Sequence, residues 1–356
     1  MFENYSIWDK LRETDKPIFL YGTGNGGDKI ITALERSGAS LTGIFASDGF
    51  VRDRSFHGFK VRSYSDVTAE YGDNIIVLLA FGTTLDSVQA FIRELDEKHE
   101  LIIPDVPLYG GDLFDWKYFT DKLNNLNNAM NCLSDEKSRE IFCDAVNFRL
   151  TGKLNYLRNS DTWQESLNEL LGNQVIGTVL DGGAFKGDST YEFLKAFNPD
   201  KIYAVEADPK TCAKLKNFAE SIEDADVIPI NSALWNENGI LEYVSSGSRG
   251  SGESGANKRA KITTIPCSTI DSIIGDGDID LIKLDVEGAE SKALDGAVNT
   301  IERCKPNMII SLYHKTDDLF ELIKRIAKLL PDHKLYLRRI PCIPFWDLNL
   351  YAVRQK

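Results

Sequence analysis

The sequence predicts an α/β chain built from two Rossmann-like units joined by a helical connector. Three observations carry this. Two glycine-rich turns, at 22–27 and 182–187, each follow a short apolar run and precede a helical pattern. Short runs rich in β-branched residues alternate with helical segments in both halves, the pattern of a parallel sheet covered by helices. Between them, the stretch 113–173 is polar and helical, without strand-like alternation. The expected boundaries are 1–112, 113–173 and 174–356.

Taken in order, residues 1–16 read as a polar helix. The run 18–21 is a strand, and Gly22, Gly24 and Gly27 complete a G-x-G-x-x-G turn into a helix with Ile30, Ile31 and Leu34 on its apolar face. A second strand at 41–46 ends near Asp48. The stretches 75–80 and 101–106 add further strands. Gly22, Gly24, Gly27 and Asp48 are therefore a candidate nucleotide site. The same glycines are equally required by the turn geometry alone. The connector shows a helix start at Ser134 and Asp135, with Ile141, Ala145, Phe148 and Leu150 on one face, and a further amphipathic helix over 160–171.

The second unit opens with a strand at 175–180, then Asp181, Gly182, Gly183 and Gly187, then a helix from Asp188 or Ser189 with Tyr191, Leu194 and Phe197 on its apolar face. A strand at 201–205 ends on Glu206. Ligands of such sheets sit at the carboxyl ends of the strands. Asp181 would repel a dinucleotide pyrophosphate and attract the sulfonium and ammonium of S-adenosylmethionine. Glu206, 25 positions later, is placed to accept from ribose hydroxyls. Asn231, after the next strand, falls near the adenine. The Gly- and Ser-rich segment 247–259 reads as a surface loop or a mobile lid.

A further strand at 281–284 is followed by Asp285, Glu287 and Glu290. Glu290 is expected to cap the next helix. Lys283, out of place in an apolar strand, either snorkels outward or pairs with an acid. His314 leaves the following strand on the same side. Asp285, His314 and Glu287 are the catalytic candidates, with Asp285 or His314 guiding or removing an acceptor proton. Asp285 and Glu287 share a face only if the strand continues past Asp285. Gly288 argues against that, so no metal is assigned. The chain closes with an antiparallel strand pair.

The segments LDGGAFKGDST, YAVEADP, STIDSI, IKLDVEGAE and SLYHK resemble, in order and spacing, the FkbM family of S-adenosylmethionine-dependent methyltransferases over about 134–356. The resemblance implies a seven-stranded class I methyltransferase sheet and S-adenosyl-L-methionine as cofactor. It implies methyl transfer to a hydroxyl of a sugar, glycan or secondary metabolite. Gly182 stands where most members carry valine. YGTGNGG and FHGFKV loosely resemble small nucleotide-binding domains attached to sugar-modifying enzymes, including the N-terminal domain of sialic acid O-acetyltransferase-like proteins.

The bulk composition bounds the class of partner. A net charge of −13 disfavours nucleic acid and anionic membrane as partners. No apolar run is long enough to span a bilayer, and the first residues lack the order of a signal peptide. Six scattered cysteines without a C-x-x-C pair suggest a reducing cytoplasm. The expected partner is a small-molecule or saccharide acceptor, and a homo-oligomer stays open. Two other readings remain: a nucleotide- or nucleotide-sugar-binding protein, and an NAD-dependent oxidoreductase or epimerase using Gly22–Gly27.

Overall fold

The computed structural model describes residues 1–51, 54–83, 85–109, 111–245, 252–253 and 261–355. The segment 247–259, considered above as a lid, lies outside the described residues except for 252–253. Among the described residues no helix is long and apolar enough to cross a membrane.

The first sheet comprises β1 (Ile18–Tyr21), β2 (Gly43–Ala46), β3 (Ser55–Phe56), β4 (Phe59–Ser63), β5 (Ile76–Leu79) and β6 (Glu100–Ile102), in the order β3-β4-β2-β1-β5-β6. All pairings are parallel except the β3–β4 edge. β1 and β5 sit centrally and bury every residue, as continuous apolar runs should. β2 starts later than the sequence suggested. A side chain at Gly43 would meet the Phe19 ring at 2.8 Å, so the glycine lets the strands pair closely. β6 ends at Ile102 rather than 106, before Pro104 and Pro107, which have no N–H to extend a ladder.

The connector helices Trp116–Asn131 and Glu136–Thr151 are each capped by an aspartate, Asp115 and Asp135. Helix Trp163–Leu171 carries a Thr162–Glu165 capping box. The expected face Ile141, Ala145, Phe148 and Leu150 is buried. One apolar core runs from Phe19, Tyr21 and Val77 through Phe119, Phe142 and Phe148 to Leu284, Ile310 and Leu350, joining both sheets through these helices.

The second sheet contains β7 (Thr178–Gly182), β8 (Lys201–Glu206), β9 (Asp226–Asn231), β14 (Leu281–Leu284), β15 (Asn307–Ser311), β16 (His333–Arg339) and β17 (Leu348–Arg354). Their order is β16-β17-β15-β14-β7-β8-β9, with β17 antiparallel to both neighbours. This is the seven-stranded sheet anticipated. A small sheet of β10 (Ala233–Leu234), β11 (Gly239–Ser245), β12 (Gly252–Glu253) and β13 (Lys261–Ser268) lies beside it. β13 was not foreseen.

Two local expectations fail. Val175 is 87% exposed, and β7 begins three residues later. On helix Asp188–Phe197 the buried residues are Ser189, Thr190 and Phe193, whereas Tyr191 is 55% exposed. Gly187 sets the helix start so that two hydroxyls reach Asp181, while Leu194 and Phe197 pack half-buried against the core as expected, and only Tyr191 departs from the anticipated face.

Candidate functional site

A cavity of about 600 Å³ opens at the carboxyl ends of β7, β8 and β14, within the usual size range of small-molecule sites. Gly183, Ala184 and Phe185 form one wall, Glu206 to Asp208 the next, and Ser232 to Trp235 a third. Asp285 to Glu287, Tyr313 and the 340–347 loop close it. Among the described residues that line it, eight are acids (Asp188, Glu192, Glu206, Asp208, Glu242, Asp285, Glu287 and Asp347) and one, Lys283, is a cation. Such a lining suits a positively charged guest and disfavours a phosphate.

Asp181 does not face this cavity. It is fully buried, accepting from Ser189 Oγ (2.8 Å) and Thr190 Oγ1 (2.7 Å), with Lys283 Nζ at 3.2 Å. Lys283 and Asp181 are paired positions of adjacent parallel strands, which puts their side chains on one face. Lys283 also donates to the Gly183 carbonyl (3.0 Å) and lies 3.8 Å from Asp285. Of the two roles anticipated for this lysine, pairing with an acid is the observed one. The direct contact expected between Asp181 and the cofactor is corrected accordingly: its charge is offset behind the wall, and Lys283 stands between it and the cavity. Burial disfavours the ammonium, but Asp181 and Asp285 outweigh that and raise its pKa.

The glycines divide by task. Gly183 (φ +76°) lines the cavity, and a side chain there would fall 1.9 Å from the Asp285 carbonyl oxygen. Gly182 and Gly187 do not line it. A Cβ on Gly182 would meet Leu234 at 2.6 Å, and one on Gly187 (φ +101°) would meet the Phe218 ring at 2.3 Å. Their work is packing, and the valine common elsewhere has no room at Gly182 here.

Glu206 lies at the cavity edge and accepts from the N–H groups of Asp208 (2.7 Å) and Phe185 (3.0 Å). Burial dominates and pushes its pKa up to about 7, although both donors oppose the shift. Asn231 does not line the cavity. It is the register partner of Glu206 and donates to the Glu206 and Ala207 carbonyls, holding the acidic turn in place. Ser232 takes the wall position instead.

The second acidic group converges on His314. Its Nδ1 lies 2.8 Å from Glu290 Oε1, and its Nε2 lies 3.5 Å from both Asp285 Oδ1 and Glu287 Oε2. Glu290 is buried and also accepts from the Val286 N–H (2.9 Å), so it ties strand to helix start and histidine together rather than simply capping. Burial lowers the His314 pKa, but the three carboxylates outweigh it and raise the value to about 10. While those carboxylates keep the imidazole protonated, His314 is poorly disposed to take a further proton, and Asp285 is the better placed of the two candidates. Asp285 is the opposite case. Burial raises its pKa, yet Lys283 and His314 together hold it below the ordinary value. Asp285 is about 28% exposed and Glu287 about 31%, so both reach the cavity.

The first glycine turn is separate from this site. Asp48 accepts from the N–H (3.0 Å) and hydroxyl of Ser65 and so anchors the next helix, Tyr64–Tyr71. Gly24 caps helix Asn25–Ser37, and Gly27 packs near Phe56. The two sheets nevertheless meet. Thr83 bridges to Ile343 of the cavity loop, Gly82 lies against Trp346, and Tyr109 donates to Glu287.

Sequence reasoning missed Phe185, Trp163, Trp235, Tyr313 and the 340–347 loop. Two of them carried a signal. Phe185 is an aromatic inside a turn of small residues, and IPCIPFWD is an apolar loop between two strands.

Residues 181–336 match the family model of the methyltransferase FkbM domain. The structure is similar to that of a methyltransferase FkbM from Methylobacillus flagellatus, at 18% identity and TM-score 0.70, over 97% of this chain and 92% of that one. The shared fold therefore includes both sheets. An rRNA methylase from Streptococcus thermophilus (13% identity, TM-score 0.34) covers 54% of this chain and 94% of its own. Fibrillarin from Aeropyrum pernix, bound to S-adenosyl-L-methionine (15%, 0.33), covers 53% and 73%. No curated protein matches the sequence.

Proposed function

We propose, from the FkbM-type methyltransferase domain carried by residues 181–336, that this protein transfers the methyl group of S-adenosyl-L-methionine to a hydroxyl of a saccharide or secondary metabolite. The observation that carries the reading is the acidic cavity at the strand ends, with Gly183 and Glu206 on its wall. The backbone of 183–185 would hold the cofactor's methionine end, Glu206 would accept from the ribose hydroxyls, and Ser232 and Ala233 would line the place of the base. The sulfonium is drawn by the acids around it.

Transfer is an in-line displacement. Bound there, the cofactor would supply the methyl group: the acceptor oxygen would bond to the methyl carbon as the carbon–sulfur bond breaks, with that bond's electron pair left on sulfur. The hydroxyl proton leaves to Asp285, the acid held ionised by Lys283 and His314. Alignment supplies most of the acceleration, up to about 7–11 kcal/mol for well-oriented reactants. A proton acceptor adds about 10²–10⁴-fold.

Calorimetric titration with S-adenosyl-L-methionine and then NAD tests the cofactor. Radiolabelled methyl transfer to a panel of sugars and hydroxylated metabolites tests the reaction. Binding of NAD alone, with no transfer to any acceptor, would overturn the proposal.

A further inference from the structure

We infer that Asp285, Glu287 and His314 form a site for one divalent first-row transition cation in the wall of the cavity. Its use in the reaction rests on the methyltransferase reading, whereas the binding itself does not.

The spacing is the first argument. His314 Nε2 stands 3.5 Å from Asp285 Oδ1 and 3.5 Å from Glu287 Oε2. That is longer than an N–H···O hydrogen bond, typically about 2.7–3.2 Å. It is close to the separation of two ligands on one ion, because bonds of about 2.1 Å at a tetrahedral angle place donors about 3.4 Å apart. Buried His314 Nε2 has no hydrogen-bond partner among the described residues, and neither has the buried Glu290 Oε2.

The outer arrangement is the second. His314 Nδ1 is held by Glu290, the carboxylate–histidine pairing that orients a metal-binding imidazole. Tyr313 donates to Asp285 Oδ1 (3.0 Å) and Tyr109 to Glu287 Oε2, so both carboxylates are also fixed from outside. Glu287 reaches the cluster by adopting φ +56°, which side-chain-bearing residues rarely do, with Gly288 following at φ +90°. This turn supplies what strand geometry denied. Each of the acids at 285 and 287 comes to 3.5 Å from the same imidazole nitrogen although β14 ends at Leu284.

Three carboxylates around one imidazole need positive charge. A proton on Nε2 provides one unit, and a divalent ion in its place provides two. One imidazole with carboxylates favours Mn²⁺, Fe²⁺ or Zn²⁺ over the all-oxygen preference of Ca²⁺ and Mg²⁺. His314 closes the rear, and the open side faces the cavity through Asp285 and Glu287. An acceptor oxygen is the ligand suited to that side.

The test uses the full chain stripped by a chelator. Mn²⁺ is titrated and free ion is followed by electron paramagnetic resonance, with Zn²⁺ as competitor. S-adenosyl-L-methionine is titrated in a parallel sample. The expected result is one Mn²⁺ per chain, displaced by Zn²⁺, with affinity at least about ten-fold weaker in Glu287→Gln and His314→Gln. Should His314→Gln fail to fold by circular dichroism, Glu287→Gln decides alone, since that residue sits at the cavity surface. No stoichiometric Mn²⁺, or affinity unchanged in Glu287→Gln, overturns the site. Cofactor binding without Mn²⁺ binding overturns the ion site and spares the methyltransferase. Mn²⁺ binding without cofactor binding does the reverse.

Discussion

Replacing Lys283 by methionine tests the organisation of the cavity wall most directly. The lysine is 3% exposed and Asp181 is 0% exposed, 3.2 Å apart. At an effective dielectric of about 20, unit charges at that separation attract by about 5 kcal/mol. Desolvating the ammonium offsets several kcal/mol of this, so the net value of the pair is small. Breaking it is not, because Asp181 would keep only the Ser189 and Thr190 hydroxyls. Lys283→Met should therefore cost about 3–5 kcal/mol. Asp181→Asn should cost less, about 2 kcal/mol, since Lys283 retains Asp285 and the Gly183 carbonyl. The double variant should fall short of their sum by about 2–3 kcal/mol. Urea unfolding of the four proteins, followed by tryptophan fluorescence and circular dichroism, measures each term. Additivity within about 0.5 kcal/mol would refute the argument. It would mean that Lys283 does not compensate Asp181, and that Asp181 is available to the cofactor as the sequence alone suggested for that acid.

Glu206 carries a pH dependence of known sign. Its folded pKa, about 7, lies above its ordinary value of 4.5, so the stability it contributes is present below about 4.5 and is lost as pH rises through 7. On the proposed reading, cofactor affinity moves the other way. It strengthens several-fold from pH 6 to 8 as the ribose acceptor ionises, and Glu206→Gln flattens that profile in calorimetry. Gly187→Ala should cost about 2–4 kcal/mol in thermal or urea unfolding, from the left-handed backbone and the approach to Phe218. Adding Phe218→Ala should recover only the steric part. Arg338 is fully buried, whereas its partners Asp135 and Glu169 are 31% and 44% exposed. Removing these two acids leaves Asp161, at 3.6 Å, to face the guanidinium and should cost about 3–5 kcal/mol, while Arg338→Met should stay within about 1 kcal/mol, because a buried charge stripped of most of its partners costs more than its absence.

The sheet was legible because apolar runs, glycines and caps are local signals. Every strand of the seven-stranded sheet lies within a few residues of its expected place, and the acids at 181, 206 and 285 do mark strand ends. What was not legible is which groups meet. Asp181 looked like a cofactor ligand until β14 placed Lys283 beside it, from a segment about a hundred residues downstream. Asn231 looked like a base contact until register set it against Glu206. His314 looked like a base until two further carboxylates joined Glu290 around it. Each difference has the same origin. Charge and hydrogen-bonding state depend on neighbours across strands, and no period in the sequence encodes them.

The first glycine motif shows the converse problem, a complete pattern whose requirements are met without a guest. A side chain on Gly26 would fall 2.2 Å from the Ala80 carbonyl oxygen, and one on Gly22 would meet Phe81 at 2.8 Å. Close packing of the turn on β5 therefore demands glycine there whatever else binds. Asp48, the acid that would complete a ribose site, is engaged by Ser65. The carboxyl end of that sheet meets instead the loop that lines the cavity, through Thr83, Gly82 and Trp346. Tyr109 adds a hydrogen bond to Glu287. These contacts give the N-terminal sheet a physical connection to the 340–347 side of the cavity that the motif itself never indicated. The shared core of the two sheets follows the same logic: burying the connector helices from both sides holds the cavity loop and Tyr109 in fixed relation to Asp285 and Glu287.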